Sequence, residues 1–451
     1  METPINPSRG VMEKRKMTKN TLTLVPVGLL FASSLALAQA APAPVAPAAA
    51  PAAAPPPAAA PAPAPAPEPV MAPPPAEPAP VDTMPPAPAP EPMAAPAPAP
   101  EAPAAAPAPP PTAITGFIET GYHLNLRQVS APNAMRVYDT PTNSFLLHAA
   151  SVQLAHAFSP DVSAVINLDA GTDAAVTNNT GGYVGPGGTY AFDVREAYAK
   201  YSHSGFSVTA GKFVTYEGIE VIQGPLNPTL TRGYLFGFAE AFTHIGAKAH
   251  YNIDNKADIG VGVVNGWDKW VDDNDWKTLI FRAGITPSDT FFAALSGSYG
   301  SEQGTASKAP HKNSNGRLSL DLTGGVIAGD FTLNFQGNFG SEKNVAPGVN
   351  DTWWGLGLQP VYKKDQFSFG GRVELFGDKN GSRTAPGGIM GKSTLLNITL
   401  TPGVTLAEHF TTRLEYRADI ALAGAGGPGS KNLFNGKSTQ HTIGLGAHYI
   451  F

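Results

Sequence analysis

The residues of this sequence best placed to act on ions are charged side chains set singly inside segments that otherwise alternate apolar and polar. Arg195, Glu196, Lys212, Arg282, Arg317, Asp321, Arg372, Glu374, Arg413, Glu415 and Arg417 all occupy such positions. In an extended segment they share the face that is not apolar. Rings of such charges around a watery path set which ions pass. In a second arrangement, opposite signs pair across neighbouring strands and seal the interior. Arg413, Glu415 and Arg417 are near enough for that. The mixed signs predict weak selectivity.

The stretch 214–240 carries Glu217, Glu220, Arg232 and Glu240 among many apolar and Gly residues. A freely exposed loop is expected to be more polar. The expectation is a constriction loop folded into a lumen, and a lid packed on the rim is the other arrangement. Arg136 and Asp139 form either a buried pair bracing the first long loop or a solvated one.

Other chemistries fare worse. Asp272, Asp273 and Asp275 crowd one loop, and clustered carboxylates suit Ca²⁺ or Mg²⁺, but the EF-hand spacing is absent and a solvated acidic loop is expected. Gly387-Gly388-Ile389-Met390-Gly391-Lys392-Ser393 imitates a phosphate loop, yet Pro386 stands where its first Gly belongs and no parallel βαβ context surrounds it. No nucleophile-elbow pattern appears. His148, His156, His244, His250, His409, His441 and His448 show no metal-ligand spacing. No enzyme, metal site or cofactor is expected.

These residues need elements to hold them, and composition limits the choice. Gly (48) and Pro (46) are abundant, charged residues make up 14%, and no apolar run beyond the N-terminus is long enough to span a bilayer as a helix. Such a chain suits many short strands and turns. The absence of Cys excludes disulfides, thiolate metal centres and lipoprotein anchoring. A net charge of −5 offers nothing to nucleic acid.

Residues 1–40 read as a signal peptide, with Lys14, Arg15, Lys16 and Lys19 before the apolar stretch Leu22 to Leu37 and small-x-small cleavage sites at 36–40. Met17 is a candidate true start. Residues 41–112 are almost wholly Ala and Pro, a disordered linker that favours extended conformations. About 70 residues at about 3.1 Å each reach roughly 200 Å, enough to cross a periplasm and touch peptidoglycan.

From residue 113 the texture alternates. Phe410, Thr412, Leu414, Tyr416, Ala418 and Ile420 fall on one face; Thr411, Arg413, Glu415, Arg417 and Asp419 fall on the other. A helix would mix these sets, whereas a strand separates them. Tight turns near 159–161, 204–205, 254–256, 287–289, 329–330, 364–365 and 408–409 alternate with long connections at 127–144, 173–189, 214–240, 268–275, 301–316, 341–352, 378–392 and 421–437. Short turns at one end and long loops at the other define an all-β, transmembrane antiparallel up-and-down barrel of about sixteen strands over 113–451. In lipid every backbone polar group must pair within the protein, so the strands must close. Ile443, Leu445, Ala447, Tyr449 and Phe451 share the outer face of the last strand, and its terminal aromatic resembles the signal read by barrel-assembly machinery. Tyr449 and Phe451 are the candidate assembly signal. Tyr198, Tyr201, Trp267, Trp276, Trp353 and Tyr449 are expected at the membrane interfaces.

Region 136–300 resembles the OmpL-like β-barrel porin family, β-barrel porin-2. The resemblance is carried by Arg136-Val137-Tyr138-Asp139, Asn143-Ser144-Phe145, "GKFVTYEGIEVI" at 211–222, "RGYLFGFAEAFTHIGAKAHY" at 232–251 and "VGVVNGWD" at 261–268. It implies a barrel and an unspecified solute pore, with no catalytic residues. The expected protein is integral to the outer membrane of a Gram-negative bacterium, in contact with lipid and lipopolysaccharide, with its N-terminal segment periplasmic and a homo-oligomer compatible with the reading. The expected function is passive diffusion of small hydrophilic solutes or ions. The alternative is a non-conducting barrel tethered to the cell wall by the Ala/Pro segment, and a substrate-specific channel is a third form.

Overall fold

A computed structural model of the chain describes residues 112–178, 191–274, 276–302, 315–384, 391–423 and 433–451. The signal peptide expected in 1–40 and the linker expected in 41–112, apart from its last residue Thr112, lie outside these residues, as does Asp275.

The alternating segments form strands β1 (Thr112–Asn125), β2 (Ser144–Ala157), β3 (Val162–Gly171), β4 (Ala191–His203), β5 (Phe206–Val214), β6 (Thr243–Ile253), β7 (Ala257–Val264) and β8 (Thr278–Ser288). They continue through β9 (Phe291–Ser301), β10 (Gly316–Ala328), β11 (Phe331–Ala346), β12 (Val349–Lys364), β13 (Phe367–Asp378), β14 (Ser393–Ala407), β15 (Phe410–Ala423) and β16 (Thr439–Ile450). A short helix, α1 (Thr172–Thr177), follows β3. Each strand pairs antiparallel with its sequence neighbours, and β1 returns to β16 from Phe117↔Ile450 to Asn125↔Thr442, closing a sixteen-strand barrel. Phe451 extends the seam: its N–H donates to the Gly116 carbonyl at 2.9 Å, and the Gly116 N–H donates back at 2.8 Å.

Alternation decides which face meets what. In β15, Leu414 and Tyr416 are exposed, whereas Arg413, Glu415, Arg417 and Asp419 are buried. The apolar side chains face outward, where lipid replaces a protein core. The short turns between strands use left-handed residues: Ser204 and Gly205, and Asp254 and Asn255, all have positive φ. Two consecutive such residues give the turn whose twist matches a hairpin.

Two local features depart from the expected pattern. The stretch 341–352, read as a long loop, is a hairpin: β11 runs on to Ala346, β12 starts at Val349, and Gly348 turns with φ 74°. Ser341, Glu342, Lys343 and Asn344 are polar on both faces, so this strand extension carries no apolar alternation to reveal it. At the β3–β4 pairing, register shifts between Asn167 and Leu168, leaving Arg195 as an extra residue. Arg195 and Glu196 are consequently both buried, which strict alternation forbids.

The apolar core lies inside the barrel mouth. Tyr234, Leu235, Phe238 and Ala239 pack with Trp353, Phe376, Leu395, Ala421, Leu433 and Phe434. Tyr138, Ile222, Phe236 and Phe242 form a second cluster beside them. The aromatic expectation is corrected accordingly. Trp353 is fully buried and Trp267 nearly so, and by parity Trp354 is the tryptophan on the outer face. Tyr198 packs inside against Phe213 and its neighbours, whereas Tyr201, Trp276 and Tyr449 are exposed.

Candidate functional site

Residues 215–242, between β5 and β6, form an inner loop whose side chains and backbone meet the barrel wall. A loop removed from water needs partners for its N–H and C=O groups, and the wall charges supply them. Arg413 donates to the carbonyls of Asn227 at 2.9 Å, Thr229 at 3.2 Å and Gly224 at 3.2 Å, and pairs with Glu119 at 2.9 Å. Glu415 accepts from the Leu230 N–H at 2.7 Å and the Thr231 hydroxyl at 2.5 Å. Arg417 donates to the Arg232 carbonyl at 2.6 Å and pairs with Asp419 at 2.9 Å. Glu374 accepts from the Tyr234 N–H at 2.8 Å. Arg372 donates to Glu220 and to the Thr231 carbonyl at 2.7 and 2.5 Å.

The four candidate loop residues are all buried and partnered. Glu220 also accepts from the Gly233 N–H at 2.6 Å and from Gln359 at 3.0 Å. Arg232 pairs with Asp173 of α1 at 3.2 Å. Glu217 takes a hydrogen bond from the Ser319 hydroxyl, and the next residue, Gly218, donates its N–H to Asp321 at 3.0 Å. Gln336 bridges Glu240 and Asp321, donating to each at 2.8 Å.

Close approach requires glycine at two of these contacts. A Cβ on Gly233 would lie 2.1 Å from a Glu374 carboxylate oxygen. One on Gly370, in the wall, would lie 1.9 Å from the Pro228 carbonyl.

The strand charges therefore divide into groups. Asp321, Arg372, Glu374, Arg413, Glu415 and Arg417 hold the inner loop. Arg195 pairs with Asp169 at 3.3 Å, Lys212 with Asp193 at 3.1 Å, and Arg317 with Glu342 at 2.9 Å. Arg282 pairs with Asp258 at 2.7 Å and keeps 30% side-chain exposure. Sealing by strand-to-strand pairing thus describes only part of the wall: neither Arg413 nor Arg417 pairs with Glu415, because each turns to the loop instead. Arg136 pairs with Asp139 and, at 2.6 Å, with Asp419, so the brace beneath the first loop is buried. In the acidic loop, Asp272 and Asp273 pair with Lys277 and Lys269.

Several partners escaped the sequence reading. Asp419 accepts from Arg136, Arg417, Tyr234 and Asn397, and its alternation with Arg417 is a signal that marks it. Gln336 is marked in the same way, by its place on the polar face of the alternating segment 331–339, whereas Glu119 and Asp173 carry no comparable signal.

Burial dominates the loop's titration. It pushes Glu217 up to about 8, reinforced by nearby Asp321 and opposed by the Ser319 hydrogen bond. Glu240 is raised well above the ordinary range by burial and then by Asp321. Burial also raises Asp268 to about 7 despite N–H donors from Thr243 and Phe242. Asp139 goes the other way: burial opposes ionisation, but Arg136 and Arg417 bring it down to about 2.

A closed, antiparallel sixteen-strand barrel with an apolar outer belt and a charged inner face is the architecture of an outer-membrane porin. Residues 111–451 match the family described as "Putative beta-barrel porin-2, OmpL-like", and the chain belongs to it. The family and the fold indicate the outer membrane. Solved structures share the fold at low identity. An anion-selective porin from Comamonas acidovorans is 10% identical with a TM-score of 0.50, covering 76% of this chain and 100% of its own. The outer membrane channel DcaP of Acinetobacter baumannii is 10% identical with a TM-score of 0.51, covering 77% and 99%. OmpT, an outer membrane protein of Vibrio cholerae in its trimer form, is 11% identical with a TM-score of 0.51, covering 76% and 100%. No curated protein matches the chain by sequence.

Proposed function

We propose that the protein is a porin-like channel for passive diffusion of small hydrophilic solutes or ions, without enzymatic activity, in which the inner loop is the constriction. The carrying observation is one-sided docking. The inner loop bonds to β10–β13 and β15 and, through Arg232, to α1, while inward residues of β6–β8 stay partly uncovered, His250 and Arg282 at 30% side-chain exposure each. A loop held to one side narrows a lumen and leaves a path beside itself. Family membership supports the same reading, and assembly as a homo-oligomer accords with it.

In this reading residues 1–40 are a signal peptide and 41–112 a periplasmic linker able to reach peptidoglycan, with the barrel from 113. The density of loop-to-wall bonds favours a second reading, a non-conducting barrel that ties the outer membrane to the cell wall through that linker. Single-channel recording of the refolded chain in a planar bilayer, with and without 41–112, separates them. Discrete steps proportional to salt establish the channel. A folded, heat-modifiable barrel that never conducts leaves the tether.

A further inference from the structure

The loop-bearing wall has little charge left for a solute, because its arginines and carboxylates are engaged by the inner loop. The arc opposite differs. After the bulge at Arg195, alternation puts Glu196, Tyr198 and Lys200 on the inner face of β4, with Tyr201 exposed outside. Lys200 stands beside Thr209 of β5, which stands beside Lys248 of β6. In the next rung His250 stands beside Gly260 of β7, which stands beside Arg282 of β8. Glycines 246, 260 and 262 share this inner face, so little side chain covers the bases.

The counter-charges here are few, Asp258 and Glu196. Asp258 pairs with Arg282 at 2.7 Å and with His250 at 3.8 Å. Glu196 accepts from the neutral amide of Asn167 at 2.6 Å, which does not cancel its charge, and that charge acts on Lys248 from beyond ion-pair distance. Among the described residues neither Lys200 nor Lys248 has a carboxylate within ion-pair distance. Lys248 is held in place: its ammonium lies 4.2 Å from the Phe213 ring centre and 4.3 Å from that of Tyr216, with the Val214 carbonyl at 3.5 Å. The Tyr216 hydroxyl is shielded from solvent and has no hydrogen-bond partner, a donor without an acceptor. Burial pushes that hydroxyl up to about 12, so it keeps its proton.

We propose that Lys200, Lys248 and the Tyr216 hydroxyl form an oxyanion-binding step on the free arc of the lumen, selecting small solutes that carry a carboxylate or phosphate. Two ammonium groups without carboxylate partners attract the anion, and the hydroxyl supplies the directional hydrogen bond. Arg282, neutralised by Asp258, borders the step. The selectivity deepens the channel reading and rests on it; the binding step stands without it.

The test uses the full mature chain, refolded and checked for heat-modifiability. Binding of inorganic phosphate and of acetate is measured by calorimetry, and reversal potential is measured in a potassium chloride gradient. Wild type is expected to bind both probes, phosphate more tightly, and to prefer chloride by at least about twofold. Lys200→Gln with Lys248→Gln should abolish binding and preference together. Lys200→Glu, a change at a partly exposed position that leaves the aromatic contact intact, should reverse the preference. Tyr216→Phe should weaken phosphate binding, and equal phosphate affinity in that variant would remove the hydroxyl from the step. Lys256→Gln, in a turn, should change nothing. Unchanged binding and reversal potential in the lysine variants would overturn the proposal. A barrel that binds phosphate through these lysines but never conducts keeps the step and overturns the channel.

Discussion

Arg372 of β13 and Glu220 of the inner loop meet at 2.7 Å with both side chains out of contact with solvent. The pair joins residues 152 apart in sequence and ties the loop's first half to the wall. Removing one partner of such a pair strands a buried charge, at a cost of about 3–5 kcal/mol. Arg372→Met is therefore expected to detach the inner loop while the strands persist. Proteolysis within the loop should accelerate, and single-channel current should become larger and noisier. The double change with Glu220→Met should restore part of the protection, since it removes the stranded Glu220 carboxylate, although Glu374, 3.5 Å from Arg372, still loses that partner.

Loop docking should weaken as pH rises. Glu217 sits at about 8 when docked, against an ordinary value of 4.5. Below the ordinary value it is protonated in both docked and released loop, so docking is at full strength. Between the two values the docked loop holds a proton that the released loop gives up, and docking declines with each unit. Above about 8 the decline is complete. Glu240 is shifted in the same direction. Current fluctuations should thus be larger at pH 9 than at pH 5. Glu217→Gln with Glu240→Gln should flatten that dependence; an equally steep profile in the double variant would remove these carboxyls from the account.

The two close glycines should differ in tolerance. At Gly233 the obstructing atom is the end of the flexible Glu374 side chain, whereas at Gly370 it is the backbone carbonyl of Pro228. Gly370→Ala should cost the barrel about 1–3 kcal/mol through overpacking and shift the loop. Gly233→Ala should be milder. Thermal unfolding of the two variants ranks them.

Phe451 contributes the last backbone pair of the closing seam and stacks on Tyr449, ring centres 6.4 Å apart. Phe451→Ala should lower the yield of assembled barrel in the outer membrane. Material refolded in detergent should conduct like wild type, because the ring faces away from the lumen. Equal yields in cells would count against an assembly role for this residue.

Much of this protein is written in local pattern. Alternation in Phe410–Ile420 identifies both the strand and the side its charges take, because a side-chain period of two leaves no other arrangement beside lipid. Turn residues such as Ser204-Gly205 mark where hairpins reverse. The unusually apolar composition of 214–240 already tells of a loop sheltered from water. Alternation assigns a face and never a partner, however. Which wall charges Glu220, Arg232 and Glu240 would meet depended on barrel closure, which brings β1 beside β16 and β13 within reach of a loop leaving β5. The same closure decided that Arg413 binds loop carbonyls and Glu119 instead of Glu415, and that among the described residues no carboxylate stands within ion-pair distance of Lys200 or Lys248. Trp353 turned inward because one step of register exchanges faces. Short-range pattern determined the strands and their sides; contacts between residues far apart in sequence, which only the closed barrel creates, decided what those sides do.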